Sequence, residues 1–402
     1  MPLFKYKAVN KQGKKVDGRF SANSKNEVLA MIRENSYYPV AIQEVEETKE
    51  IDLAAIFSKI KAKDLAVFCR QFYTLLNAGA DILNSIQILK QQTQNKRMKA
   101  SLEDIYEEIQ KGSTLSSAFK KYQDVYPELL INMIQSGEDT GNLSTVIERM
   151  SEHYEKENNI NRKIRGAMVY PIILSVVSVG VIIFLLTFVM PQFVSMFQGS
   201  GVELPPITKT MLNISNYIKN YWYIIILFVV LSITILKVLA KTVSGERIIE
   251  TVKLNFPLIK NTNKKIITSR FARSLSTTLI SGVSIINAVE VVSRVVGNKL
   301  VEKKLLTARE KITKGMPLAE AIKDIESFPP MLVAMVKIGE ESGALDDILE
   351  KTADFYDGEV EEALQKLTTM IEPLMILIMG AIVGFIVISM MLPMFDMFKT
   401  VG

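Results

Sequence analysis

Few side chains in this 402-residue sequence could make or break covalent bonds. It holds one histidine, His153, and one cysteine, Cys69. A Cys/His zinc cage needs several such ligands and a disulfide framework needs paired thiols, so both are excluded. A nucleotide-hydrolysing loop closes on Gly-Lys-Ser or Gly-Lys-Thr, because backbone amides wrap the phosphates while the hydroxyl holds magnesium. Gly13-Lys14-Lys15 lies in a predicted hairpin and lacks that hydroxyl. His153 sits among Glu148, Glu152 and Glu155, which reads as a solvated helix face. General-base work would demand a positioned partner and a cleft as well.

The remaining candidates are acids and arginines that occur in matched pairs. Gly137-Glu138-Asp139-Thr140-Gly141 and Gly339-Glu340-Glu341-Ser342-Gly343 each place two acids between glycines. Oxygen ligands of this kind could hold a divalent cation or a partner, but three or more further ligands cannot be picked out. The alternative, a structural turn, is favoured: glycine ends one helix, and acids near the start of the next suit its dipole. Arg70 and Arg273 occupy equivalent places, each two residues after a phenylalanine. Pairing to a helix carboxylate is preferred there over a partner hot spot, although arginine is enriched in such spots. Glu372, just before Pro373, touches an apolar span at its border, where anchoring in headgroups or water competes with a buried polar contact. No catalytic, cofactor-binding or metal-binding residue is expected.

The elements that must position these residues follow from charge and periodicity. Charged residues make up 23% of the chain, yet mean hydropathy is +0.20, so apolar sequence is concentrated somewhere. No Asp, Glu, Lys or Arg occurs over 166–202, 220–236 or 373–395. Each stretch can cross about 30 Å of hydrocarbon as a helix. Tyr217, Tyr221, Trp222 and Tyr223 fit an interfacial belt at the second crossing. The net charge of +5 is spread widely and does not by itself indicate nucleic-acid binding.

An internal repeat organises the rest. Phe68-Cys69-Arg70 through Gly79 returns as Phe271-Ala272-Arg273 through Gly282, and Lys111-Gly112 as Lys314-Gly315. The two Gly-Glu loops correspond, Tyr154 pairs with Tyr356, and Pro171 and Pro191 pair with Pro373 and Pro393. Leu65, Phe68, Phe72, Leu75 and Leu76 recur at helical spacing, and Gly79, Gly112 and Gly137 fall where helices should stop in the left-handed conformation. Each copy therefore reads as a bundle of five or six helices whose last helix runs on toward a span. Two like copies on one side of a bilayer need an unduplicated crossing between them, and 220–236 supplies it. Arg162, Lys163 and Arg165 before the first span, and Lys237, Lys241 and Arg247 after the second, place both bundles in the cytoplasm.

Ahead of the repeat, Phe4, Tyr6 and Ala8 alternate with polar residues, Val16 to Phe20 continues as a strand, Ser24 to Glu27 has capping-box spacing, and Tyr38 to Ile42 is a third strand. Met1 to Gly18 lacks the apolar core of a cleaved secretion signal. The expected division is an α/β unit over 1–43, a linker over 44–60, copy one over 61–165 and its span over 166–193. An external connection at 194–218, the second span at 219–240, copy two over 241–368, the third span at 369–395 and an external tail at 396–402 complete it. The class is thus mainly α, a polytopic membrane protein with three spans and two cytoplasmic bundles.

The opening Phe4-Lys5-Tyr6-Lys7-Ala8, the duplicated Phe-x-Arg segments, the paired Gly-Glu-x-x-Gly-x-Leu loops and the final Glu372-Pro373 to Pro393 span resemble the PilC/GspF family from Phe4 to Phe395. Members are inner-membrane platform proteins of type IV pilus and type II secretion machines. Tyr170 stands in copy one where copy two has Glu372. The resemblance implies a non-enzymatic scaffold without cofactor. Its implied partners are a hexameric cytoplasmic assembly or retraction ATPase, pilins or pseudopilins, other inner-membrane assembly proteins, membrane lipid, and further copies of itself as a homodimer or larger homo-oligomer. Nucleic acid is not among them. A prepilin peptidase would need aspartates at the membrane, and no span holds one. A secondary transporter would show more crossings and polar or broken segments at the midplane.

Overall fold

The structure is a computed structural model that describes residues 3–9, 15–21, 24–34, 38–45, 59–198, 205–240, 242–257 and 259–401. The chain divides into two compact units, the first built on residues 1–59 and the second holding nearly all of the remainder. In the first unit β1 (Leu3–Val9), β2 (Lys15–Ser21) and β3 (Tyr38–Val45) form an antiparallel sheet of order β2-β1-β3, with α1 (Lys25–Glu34) between β2 and β3. Alternation of aromatic and lysine residues along Phe4–Lys7 suits a strand, whose side chains repeat with a period of two. Tyr6 stands opposite Gly18 on one side and Ile42 on the other. The Gln12-Gly13 turn, and residues 46–58 of the expected linker, lie outside the described residues.

Copy one of the repeat comprises α2 (Ala62–Asn77), α3 (Ile82–Gln92), α4 (Lys96–Gln110), α5 (Leu115–Lys120), α6 (Glu128–Asp139) and the start of α7 (Leu143–Phe184). On α2 the buried residues Leu65, Phe68, Cys69 and Phe72 follow helical spacing, so a single stripe enters the core. Phe68, Phe119 and Tyr126 form its centre, with Phe119 and Tyr126 ring centroids 4.6 Å apart. Burying each such ring contributes roughly 1.5–3 kcal/mol. The Tyr126 hydroxyl stays paired, 3.1 Å from Ser101 Oγ.

Copy two repeats this plan in α11 (Lys260–Ile280), α12 (Ile285–Val295), α13 (Lys299–Thr313), α14 (Leu318–Ile322), α15 (Pro330–Ser342) and the start of α16 (Leu345–Val401). Phe271 and Phe328 take the places of Phe68 and Tyr126, at 4.7 Å. The two equivalent helices differ in cover: α2 buries one face, whereas α11 is covered on nearly every side.

The long helices leave the bundles without a break. From α7 the chain continues through a π-turn, Leu185–Val189, into α8 (Met190–Gln198). Pro171 is accommodated inside α7, where its missing N–H leaves the ladder one donor short. After α9 (Pro206–Leu239), α10 (Val243–Asn255) leads into copy two, and α16 then runs unbroken through Pro373 and Pro393. The connection expected at 194–218 is therefore largely helical. The α9 helix starts at Pro206 and bends at Tyr221, whose φ of −122° and ψ of 21° are not helical. Among the described residues three helices are long and apolar enough to cross a membrane, and their charge-free lengths carry rows of exposed apolar side chains of the kind that face lipid.

The two long helices lie side by side and parallel. Lys156 meets Asp354, Lys163 meets Glu361, and Thr368 reaches the Ala167 carbonyl, so contacts advance in the same direction along both. Ile160, Val360 and Leu364 form an apolar strip between them. Farther along, Leu186, Met190 and Val194 pack with Ile386 and Met390. There α9 joins through polar contacts: Thr208 Oγ1 donates to the Ser389 carbonyl at 2.7 Å, and Ser215 Oγ to the Leu186 carbonyl in the π-turn.

Candidate functional site

Each Gly-Glu loop is a closed piece of backbone chemistry. The first N–H groups of a helix have no partner inside it. At α5 those of Leu115 and Ser116 donate to the two carboxylate oxygens of Glu138, at 2.5 and 2.9 Å. At α14 those of Leu318 and Ala319 donate to Glu340 at 2.5 and 2.8 Å. A charged acceptor makes these stronger than neutral bonds and ties the end of α6 or α15 to the start of the helix just before it. Both oxygens of each acid thus face N–H donors, where a cation would have to sit. Asp139 and Glu341 point outward, the latter 3.8 Å from Lys337.

The glycines divide the remaining work. Gly141 and Gly343 take φ of 68° and 69°, and the Asn142 and Ala344 N–H groups return to the carbonyls of Gly137 and Gly339 at 2.9 and 3.1 Å. Gly137 and Gly339 are not the left-handed caps the sequence suggests. They lie inside their helices, and a Cβ there would stand 3.0 Å from Leu143 Cα or 2.9 Å from Leu345 Cα. Close approach of the next helix, not a positive φ, requires glycine at these two places.

Arg70 holds Glu155 through two bonds, 2.6 Å from Nε and 2.9 Å from Nη2, on an exposed surface. Arg273 is buried and reaches Asp357, the residue equivalent to Glu155, at 2.5 Å, and also Asp354 at 2.9 Å. Burial pushes the Asp354 carboxyl up, but hydrogen bonds from Lys156 and Arg273 outweigh it and hold the carboxyl below its usual range. Glu372 is exposed immediately before the charge-free part of α16, and Pro373 sits within the unbroken helix.

His153 corrects the sequence reading. It is buried, 5% exposed, rather than on a solvated face. Its neighbours on α7 are acidic, but copy two covers that face, setting Arg273, Thr277 and Ile280 of α11 beside it around a cleft of about 340 Å³. Burial, then the nearby Arg273 and Arg270 guanidinium groups, push the imidazole pKa down to about 3, so it is neutral at pH 7.

The seam between copies is what residue-by-residue reading missed. Lys156 bonds Asp354 at 2.8 Å, Arg270 approaches Asn161 at 3.4 Å, Arg294 pairs with Glu128, and Ser136 Oγ donates to the Ser281 carbonyl at 2.7 Å. A signal was present in the sequence: α11 carries Ser269, Ser274, Ser276, Thr277 and Thr278 where an amphipathic helix would alternate long polar and apolar residues. Small hydroxyl side chains can bond their own helix carbonyls, as Thr278 does to Ser274 at 2.6 Å, and so tolerate cover on every side. The arrangement can transmit force and set helix positions. Among the described residues no group of three His, Cys, Asp or Glu side chains is placed to hold a metal ion.

Comparison with known proteins gives matches to two family models. One described as type II secretion system (T2SS), protein F, matches residues 68–191 and again 271–393, and one described as the N-terminal domain of that protein matches residues 1–43. The chain is 36% identical to the type IV pilus assembly protein PilC of Thermus thermophilus, over 100% of both chains. It is 32% identical to the PilC of Pseudomonas aeruginosa, over 93% of this chain and 100% of that one. The type II secretion system protein F of Vibrio cholerae is 28% identical, over 99% of this chain and 98% of that one.

Proposed function

Because the chain belongs to the type II secretion system protein F family, the PilC/GspF family, we propose that it is the membrane platform of a type IV pilus assembly machine. The observation that carries this is the continuity of α7 and α16, each of which begins in a bundle core and ends in a membrane crossing. A bundle that is turned or tilted by a partner carries its crossing with it, since a helix has no soft joint unless a turn or a break is built in. Both bundles lie in the cytoplasm, beside the basic residues that flank the crossings, where a hexameric assembly or retraction ATPase can grip them. The crossings then guide apolar pilin helices into and out of the bilayer, together with other inner-membrane assembly proteins. The protein performs no covalent chemistry in this scheme.

The equivalent platform of a type II secretion system is the second reading, supported by full-length likeness to a protein F at 28% identity. The pilus reading is favoured by the higher identities, 36% and 32%, to proteins named for pilus assembly. Deleting the gene separates them: loss of surface pili with normal secretion supports the first, and loss of secreted protein with normal pili supports the second. The coupling is tested by inserting a short glycine-rich segment after Arg165. Pili should disappear while the protein remains at normal abundance; unchanged piliation would defeat the coupling scheme.

A further inference from the structure

The two copies do not meet through like faces. Copy two presents α11 and the turn into α12, and copy one receives them on α6 and α7: Arg270 at Asn161, Ser281 at Ser136, Arg294 at Glu128. A two-fold arrangement would add the reverse contact, α2 and its turn against α15 and α16. That contact is not made, for the side chains it would use stand in the open. Val67, equivalent to Arg270, is 46% exposed. Ile338, equivalent to Ser136, is 50% exposed, and Phe355, equivalent to the buried His153, is 45% exposed. The contact is heterologous, with one unused half at each end of the molecule.

We propose that these unused halves bind each other, so that the α15/α16 face of one chain docks on the α2/α3 face of a second copy by the same geometry that joins the two repeats. The substitutions across the repeat fit this occupant. Where the internal contact sets Arg294 against Glu128, the outer one sets Gln91 against Pro330, so both charges vanish together. The Ser136–Ser281 hydrogen bond becomes Ile338 against Ala78, and Arg270 with Asn161 becomes Val67 with Ala363. The Ser136–Ser281 and Arg270–Asn161 pairs are thus each replaced on both sides by apolar groups that bury well against each other, which one unpaired change would not achieve. The membrane permits the operation. Since α7 and α16 are parallel, the rotation that carries copy one onto copy two has its axis roughly along them, and repeating it keeps the second chain in the same bilayer with the same orientation. The inference rests on the duplication and not on the functional reading.

The test uses full-length chains in native membranes, in a Cys69→Ala background, where copy two already carries Ala272. Chains with Ala78→Cys and one tag are co-expressed with chains bearing Ile338→Cys and a second tag, then oxidised. Ser136→Cys with Ser281→Cys in one chain is the reference, closing within the chain. A product of twice the chain mass that carries both tags is expected, with little from Ile338→Cys alone. No mixed product, Ile338→Cys joining mainly to itself, or its capture of a different protein would each overturn the proposal. Normal pili after deletion of the gene, with the crosslink intact in the full-length chains, would instead count against the platform reading alone.

Discussion

Removing the Glu138 carboxylate should open copy one, and the native chain carries its own reporter. Glu138→Ala strips two backbone N–H groups of α5 of a charged acceptor. Hydrogen bonds to charged groups contribute about 1.5–3 kcal/mol each. The site is only partly buried and water can replace part of the loss, so a destabilisation of about 2–3 kcal/mol is expected. Cys69 is fully buried in the same bundle, and burial pushes its thiol pKa up, so it reacts only when the bundle opens. At roughly 1.4 kcal/mol per tenfold change, maleimide labelling of Cys69 in the detergent-solubilised protein should accelerate about 30- to 150-fold. Glu138→Gln, which keeps one acceptor oxygen, should fall between. Glu340→Ala should leave the Cys69 rate nearly unchanged, because it releases α14 in the other copy. A Glu138→Ala rate within about threefold of wild type would refute the staple.

Gly137→Ala and Gly339→Ala should each lower the thermal unfolding temperature of the purified protein by the equivalent of about 1–3 kcal/mol, since the new methyl meets backbone that cannot yield. Arg273→Ala should cost about 2–3 kcal/mol by leaving Asp357 without its cation while Asp354 keeps Lys156, against less than about 1 kcal/mol for the exposed Arg70→Ala, measured by the same melting experiment. His153 is held at a pKa of about 3 against about 6.5 unfolded, so the unfolded chain takes up the proton first as pH falls. Stability should be full above about pH 6.5 and fall by about 1.4 kcal/mol per unit toward pH 3. His153→Phe, the residue copy two carries, should remove that component; an unchanged difference in melting between pH 7 and pH 5 would exclude it.

The sequence made the repeat, the bundles and the crossings readable because each rests on local spacing. The stripe Leu65, Phe68, Phe72 needs only its own helix to be recognised, and a charge-free run needs only its length. Gly141 was equally legible, as its φ is a local matter. Gly137 was not: its reason is a backbone six residues on that packs against it. His153 was misplaced for a related cause, since its sequence neighbours face solvent while the chain that buries it is more than a hundred residues away. Residues 206–218 resembled a connection because their apolar content is modest, yet Thr208 and Ser215 are buried by partners on the two long helices.

Those long helices touch in two separated places, at the Ile160–Leu364 strip and at the Leu186–Met390 cluster, about 39 Å apart along α7 and the π-turn. Two rods pinned at one point can scissor; pinned at two they form a spar. Torque applied to either bundle must therefore swing both crossings as a single beam, and separating them requires breaking a clamp at one end first.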